Sequence, residues 1–189
     1  MATIGHNSRE PGIIHRLDTG TSGLLLAART QAAFDELCSA LSAGEIDKRY
    51  LLICSSEDLA DTGSIEFGLA PHPKDTRRVL ACVHPRDVAR NQPRPASTDY
   101  TVVERVGSLA LVEAKAPKAG RHQIRAHFAA IDHPLLGDTL YGGSDDKLQR
   151  QALHAHSLSW KGSSVVAALS VKAELPSDMQ AVLDEARSH

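Results

Sequence analysis

From Gln31 to Ala43 the apolar residues Phe34, Leu37, Cys38 and Leu41 recur at i, i+3, i+4 and i+7, the spacing of one helical stripe, and Gly44 stands where such a helix ends. The pattern predicts a helix over 31–43. Ahead of it, Gly23-Leu24-Leu25-Leu26-Ala27-Ala28 is an unbroken apolar run behind Thr21-Ser22, and its shortness favours a buried strand. Ile13–Asp18 reads as a short strand running into a Thr19-Gly20 turn, and Lys48–Cys54 as a strand after the helix. Thr98–Val106 and Leu109–Lys115 predict a hairpin turned at Gly107-Ser108. His122–Ala130 suits a second helix stopped by Pro134, Val165–Lys172 a late strand, and the residues after Pro176-Ser177 a C-terminal helix. Pro71–Pro95 reads as a long connection with a strand near Arg78–Val83. Strands outnumber helices and no segment repeats. The expected fold class is therefore α+β: a mixed, mainly antiparallel sheet flanked by helices.

A chain of 189 residues is long enough to bury one substantial core and short for two. One domain over 13–189 is expected behind a flexible leader, 1–12, that ends in Pro11-Gly12. No apolar run approaches membrane-spanning length, and the first residues lack the basic start and apolar stretch of a secretion signal, so a soluble cytoplasmic protein is expected. Cys38, Cys54 and Cys82 are odd in number and far apart, which argues for reduced thiols. The formal net charge of −2 gives no global attraction to nucleic acid. A local one exists in Lys74–Arg94, which holds six basic residues against two acidic ones. That window is a phosphate-contacting surface if it borders a cleft, and a solvated loop face if it does not.

His15-Arg16-Leu17-Asp18 places a carboxylate where a strand gives way to a turn, accessible to a substrate as nucleophile or base. The competing reading is a turn in which that carboxylate bonds backbone N–H groups. In Gly120–His127, Arg121 and Arg125 would share one helical face, able to hold a carboxylate or a phosphate, with no acidic partner at helical spacing. His122, His127, His133, His154 and His156 crowd the second half, but their spacing matches no metal motif, so no metal is expected. Ser22 lacks the flanking glycines of a hydrolase elbow, and no phosphate-binding glycine loop is present, so no nucleotide cofactor is expected.

Taken together, His15-Arg16-Leu17-Asp18-Thr19-Gly20-Thr21-Ser22-Gly23-Leu24-Leu25-Leu26 resembles the HRLDxxTSGLLL signature of the RluA-type RNA pseudouridine synthases. Lys48-Arg49-Tyr50 resembles the KxY segment of that family, His122-Gln123-Ile124-Arg125-Ala126-His127 its HQIRxH segment, Gly137–Gly142 its GDxLYG loop and Leu153-His154-Ala155 its LHA strand, all in family order. The resemblance implies a cleft crossing a mainly antiparallel sheet, and conversion of uridine to pseudouridine in ribosomal or transfer RNA without metal or organic cofactor. It implies Asp18 as the catalytic carboxylate that engages a flipped uridine, Tyr50 beside the base helping to remove the C5 proton, and Arg125 paired with Asp18 to hold it charged. Arg16 would act where the nucleotide leaves the RNA stack. Arg121, His122, Gln123 and His127 would contact substrate.

Departures from the family pattern are also legible. Its members usually carry strands and an NKPxG-like segment before the aspartate motif, whereas twelve residues precede Ile13 here. A missing sheet portion would leave apolar edges open, to be covered by a partner or a second copy in a homodimer. Phe128 stands where leucine is frequent, and Gly120-Arg121 abuts His122 without the usual spacer. An inactive RNA-binding remnant of the family is the alternative reading, and a metal-dependent hydrolase a weaker third.

Overall fold

Asp47–Ser55 (β2) lies in the middle of the sheet and shows why its sequence is apolar without alternation. Tyr50, Leu52 and Cys54 pack with Ile124 and Phe128 on one face, and Leu51 and Ile53 pack with Met179, Val182 and Leu183 on the other. A strand covered on both sides has no polar face to display. The computed structural model describes residues 4, 5, 7, 9–144 and 146–188.

Around β2 run β1 (Ser22–Gly23), β3 (Thr62–Ile65), β4 (Leu69–Pro71), β5 (Val79–Ala81), β6 (Thr98–Val106), β7 (Leu109–Lys115), β8 (Leu153–Trp160) and β9 (Leu169–Lys172). The main sheet has the order β1-β8-β2-β7-β6-β3, and β4 and β5 form a separate ribbon. β1 and β9 share the outer edge of β8, β1 beside His154 and Ala155 and β9 beside Ser157–Trp160. Only β1 runs parallel to its neighbour; the other pairings are antiparallel. This is the mixed, mainly antiparallel sheet expected.

Among the described residues four α-helices flank it: α1 (Gln31–Ala43), α2 (Pro85–Asn91), α3 (Gln123–Ala130) and α4 (Ser177–Arg187). In α1 the Thr30 hydroxyl accepts from Ala33 N at 3.2 Å, and Gly44 closes the helix in the left-handed region at φ 79°. Phe34, Leu37 and Ala40 of α1 bury against Ile46, Leu158 and Trp160. α4 covers one face of the sheet with Met179, Val182 and Leu183, and α3 covers the other. No helix among the described residues is long and apolar enough to cross a membrane.

The helix over 31–43 and the hairpin at Gly107-Ser108 fall where the periodicity places them, while several other expectations need correction. Of Ile13–Asp18 only Ile13 pairs, by an isolated bridge to Ala27. The apolar run Gly23–Ala28 is not a buried strand: pairing with β8 ends at Gly23, only Ala27 bridges further on, and Leu25 is 48% exposed while Leu24 and Leu26 pack toward α1. The Pro71–Pro95 connection contains the β4–β5 ribbon and α2. α2 begins with Pro85 and buries no side chain, so it leaves no apolar period to read. In the expected leader, Gly5 N donates to Gln31 Oε1 at 2.8 Å and Ile4 packs near α1, whereas 1–3, 6 and 8 lie outside the described residues.

Candidate active site

The turn that carries Asp18 is held from behind. Thr21 N donates to Asp18 O at 2.9 Å, and Ser22 and Gly23 then pair with β8. Gln151, buried just before β8, donates to Thr19 O at 2.7 Å and Thr21 Oγ1 at 3.1 Å. Arg150 donates to Gly20 O at 3.1 Å and pairs with both oxygens of Asp178, at 2.7 and 2.8 Å, in the first turn of α4. Gly20 has φ 86°, a left-handed conformation that favours glycine, and a Cβ there would lie 2.8 Å from Gln151 Oε1 and push that side chain aside.

With the backbone so tied, the Asp18 side chain is left 18% exposed at a cleft of about 360 Å³, also lined by Arg16, Lys48, Tyr50, Lys118 and His122. No backbone N–H among the described residues bonds its carboxylate, which is approached instead by Arg125 Nη1 at 3.5 Å and His122 Nε2 at 3.9 Å. The self-bonded turn is thus not what holds this group.

Arg125 is buried, and its two-pronged partner is not Asp18 but Asp138, with Nε–Oδ2 at 2.6 Å and Nη2–Oδ1 at 2.8 Å. Asp138 comes from the Gly137–Gly142 loop, thirteen residues along, so no helical spacing reveals it. Burial disfavours the guanidinium charge, but hydrogen bonds to Asp138 and the charges of Asp138 and Asp18 outweigh it and raise the Arg125 pKa. The guanidinium also stacks 5.1 Å from the centroid of the Tyr141 ring.

Tyr141 Oη accepts from Val79 N at 2.9 Å and lies 3.1 Å from His122 Nδ1. Since the backbone N–H must donate, the phenol proton is available to Nδ1, and that arrangement leaves an Nε2–H facing Asp18. Burial lowers the His122 pKa, with Asp18 working against the shift, so the ring is neutral at pH 7. His122 adopts φ 53°, a left-handed conformation unusual for histidine, immediately before α3.

Tyr50 shares the cleft. Burial, followed by the Asp18 charge, pushes its phenol up to about 12, and its hydroxyl has no hydrogen-bond partner among the described residues. It is a phenol at pH 7, available to a ligand.

Two expected substrate contacts face elsewhere. His127 is fully buried, with Nε2 donating to Phe67 O at 2.8 Å and Nδ1 2.9 Å from Thr98 Oγ1. Gln123 is buried, donating to Ser97 O and Thr98 Oγ1 and accepting from Gly120 N, although it touches the cleft wall. Both lock α3 to β6. Arg121 is outside the helix and exposed, so it shares no helical face with Arg125; it donates to Arg77 O at 2.7 Å. Arg78 also lies over the Tyr141 ring, 5.4 Å from its centroid, so the basic ribbon packs against Tyr141, behind His122, and does not itself line the cleft. Arg16 is exposed at the cleft mouth. Asp138, Tyr141, Arg150 and Gln151 escaped the residue-level reading; the GDxLYG resemblance was the available signal for the first two.

The profile of the RNA pseudouridylate synthase family matches residues 3–130, and the chain belongs to that family. Among individual proteins, it is 33% identical over 195 residues to an RNA pseudouridine synthase of Chlorobaculum parvum, covering 94% of this chain and 58% of that protein. It is 34% identical to the ribosomal large subunit pseudouridine synthase D of Haemophilus ducreyi, covering 92% of this chain and 55% of that protein. The chain thus spans little more than half the length of these relatives. The structure of human RNA Pseudouridylate Synthase Domain Containing 1 superposes with a TM-score of 0.72 at 23% identity, covering 96% of this chain and 83% of that one.

Proposed function

We propose that this chain isomerises uridine to pseudouridine in structured RNA, with Asp18 as the catalytic carboxylate. The observation that carries the reading is the convergence of Asp18 and Tyr50 on one cleft, with the buried Arg125 guanidinium 3.5 Å behind the Asp18 carboxylate, from segments far apart in the sequence. The N1–C1′ bond of uridine breaks, the base turns, a C5–C1′ bond forms, and the C5 proton is lost while N1 gains one. Asp18 engages the nucleotide as this bond breaks. Arg125, itself fixed by Asp138, orients the carboxylate, and His122 presents an N–H to it. Tyr50 lies against the base; because its phenol holds its proton, it passes the C5 proton onward through the hydroxyl rather than starting as a phenolate.

The target must be unstacked to enter the cleft, at a cost of roughly a few kcal/mol. Arg16 at the mouth fills the place it leaves, and the basic residues of Lys74–Arg94, tied to the site through the Arg78–Tyr141 contact, meet phosphates further along the RNA. Ribosomal RNA is the favoured substrate, because the name of the Haemophilus ducreyi relative specifies the large ribosomal subunit; transfer RNA is the second. The reaction takes place in the cytoplasm and uses no metal or organic cofactor. Gln123 and His127 act by position, holding α3 and thereby Arg125.

The test is tritium release from [5-³H]uridine-labelled total RNA. Release by the wild type and its loss in Asp18→Ala is the expected result. Full release by Asp18→Ala would remove Asp18 from the chemistry, and no release by a folded wild type would favour the inactive RNA-binding remnant.

A further inference from the structure

Lys48 stands two residues before Tyr50 on β2, shares its face, and lines the same cleft. It is only 7% exposed, yet among the described residues its ammonium makes neither an ion pair nor a hydrogen bond. Three more exposed lysines do have acidic partners: Lys115 pairs with Asp47 at 2.8 Å, Lys147 with Glu185, and Lys161 with Glu45. Burial alone lowers the Lys48 pKa, with no acidic neighbour opposing it. Its charge is felt by His15, whose pKa is lowered first by burial and then by Lys48.

A buried ammonium without a counter-charge costs stability, and a protein retains such a group where a ligand supplies the missing anion. We propose that Lys48 binds a phosphodiester of the RNA in the cleft, an inference that rests on the RNA-site reading above. The chemistry selects the phosphate because uracil and ribose are uncharged, so the phosphodiesters are the only anions an RNA brings. The cleft lining supports it, since Arg16, Lys48 and Lys118 face a single carboxylate, Asp18. Asp18 does not neutralise Lys48, being approached by Arg125 and His122 instead. The ammonium thus anchors the backbone next to the flipped nucleotide and fixes how deeply the base enters beside Tyr50.

The experiment is fluorescence anisotropy with a labelled RNA hairpin bearing a uridine-rich loop, titrated at several KCl concentrations. Wild type, Lys48→Met and Lys48→Arg are compared, with melting temperatures measured in parallel. Lys48→Met is expected to bind about tenfold more weakly at low salt. Its slope of log affinity against log salt should be shallower by about 0.7, one single-strand phosphate contact. Lys48→Arg should keep the wild-type slope. Lys48→Met should melt at or above the wild-type temperature, since it removes an unpaired charge. A wild-type slope in a Lys48→Met protein that binds the hairpin overturns the proposal and leaves the RNA-site reading standing. A lowered melting temperature would place the ammonium on a partner within the protein and overturn it equally. Absence of hairpin binding by the wild type itself would sink the RNA-site reading, and this inference with it.

Discussion

Arg125 faces two carboxylates and divides itself unequally between them. The buried, two-pronged contact belongs to Asp138 and the single looser approach to Asp18, so the arginine is fixed by one acid and free to orient the other. Asp138→Asn removes the charge that permits a buried guanidinium. The expected loss is about 3–5 kcal/mol, seen as a melting temperature lower by roughly 10 °C; an unchanged midpoint would mean that Arg125 does not depend on Asp138. Tyr141→Phe deletes one oxygen that serves both Val79 N and His122 Nδ1. Leaving those partners unmet should cost about 1–2 kcal/mol and slow tritium release about tenfold. Wild-type release would show that the His122 tautomer is immaterial. The HQIRxH resemblance made Arg125 legible as a partner of Asp18, but its deeper tie to Asp138 was not legible, because a loop rather than a helix repeat brings that carboxylate in.

The Asp18 turn belongs to β1 in sequence and to the approach of β8 in space. Gln151 and Arg150 together hold the carbonyls of Thr19 and Gly20, and Arg150 is itself anchored by Asp178 of α4. These side chains act by placing the Asp18 backbone, so Gln151→Ala should lower kcat by about 10–100-fold with KM nearly unchanged and the fold retained. A change in KM alone would assign Gln151 to RNA binding instead. α3 shows why a polar helix can be interior. Gln123, Arg125 and His127 are buried together with Ile124 and Phe128, each polar group satisfied by a residue distant in sequence. Its apolar period is consequently weak, and the end of the helix was read instead from Pro134.

Across the whole molecule, buried neutral histidines link stability to pH. His127 has both ring nitrogens engaged, Nε2 by Phe67 O and Nδ1 by Thr98 Oγ1, so the neutral ring is fully satisfied in the interior. Burial lowers the pKa of His127, as it does for His15 and His122. Unfolded histidine takes up its proton near 6.5, about the value in model peptides, whereas the folded protein resists protonation until lower pH. The stability is therefore complete above about 6.5 and declines as pH falls below it. Thermal melts from pH 8 to pH 5 should show a midpoint constant at the alkaline end and falling below 6.5, with His127→Gln flattening part of that fall. A midpoint that rose on acidification would contradict the neutral assignment.

Local sequence alone determined α1, with its stripe and its Gly44 cap, and the β6–β7 hairpin with its Gly107-Ser108 turn, because those elements are set by spacing and turn chemistry within a few residues. Ordered motifs marked Asp18, Tyr50 and Arg125. Tertiary structure decided the rest: that Leu24-Leu25-Leu26 is an edge segment with one leucine outside, that Arg121 leaves the helix, and that His127 holds β6 instead of meeting the cleft. It alone joined Arg125 to Asp138, the Asp18 turn to Gln151, and left Lys48 buried without a counter-charge. Burial and hydrogen bonding at long sequence separation depend on which surfaces meet once the sheet is assembled, and no local period encodes that meeting.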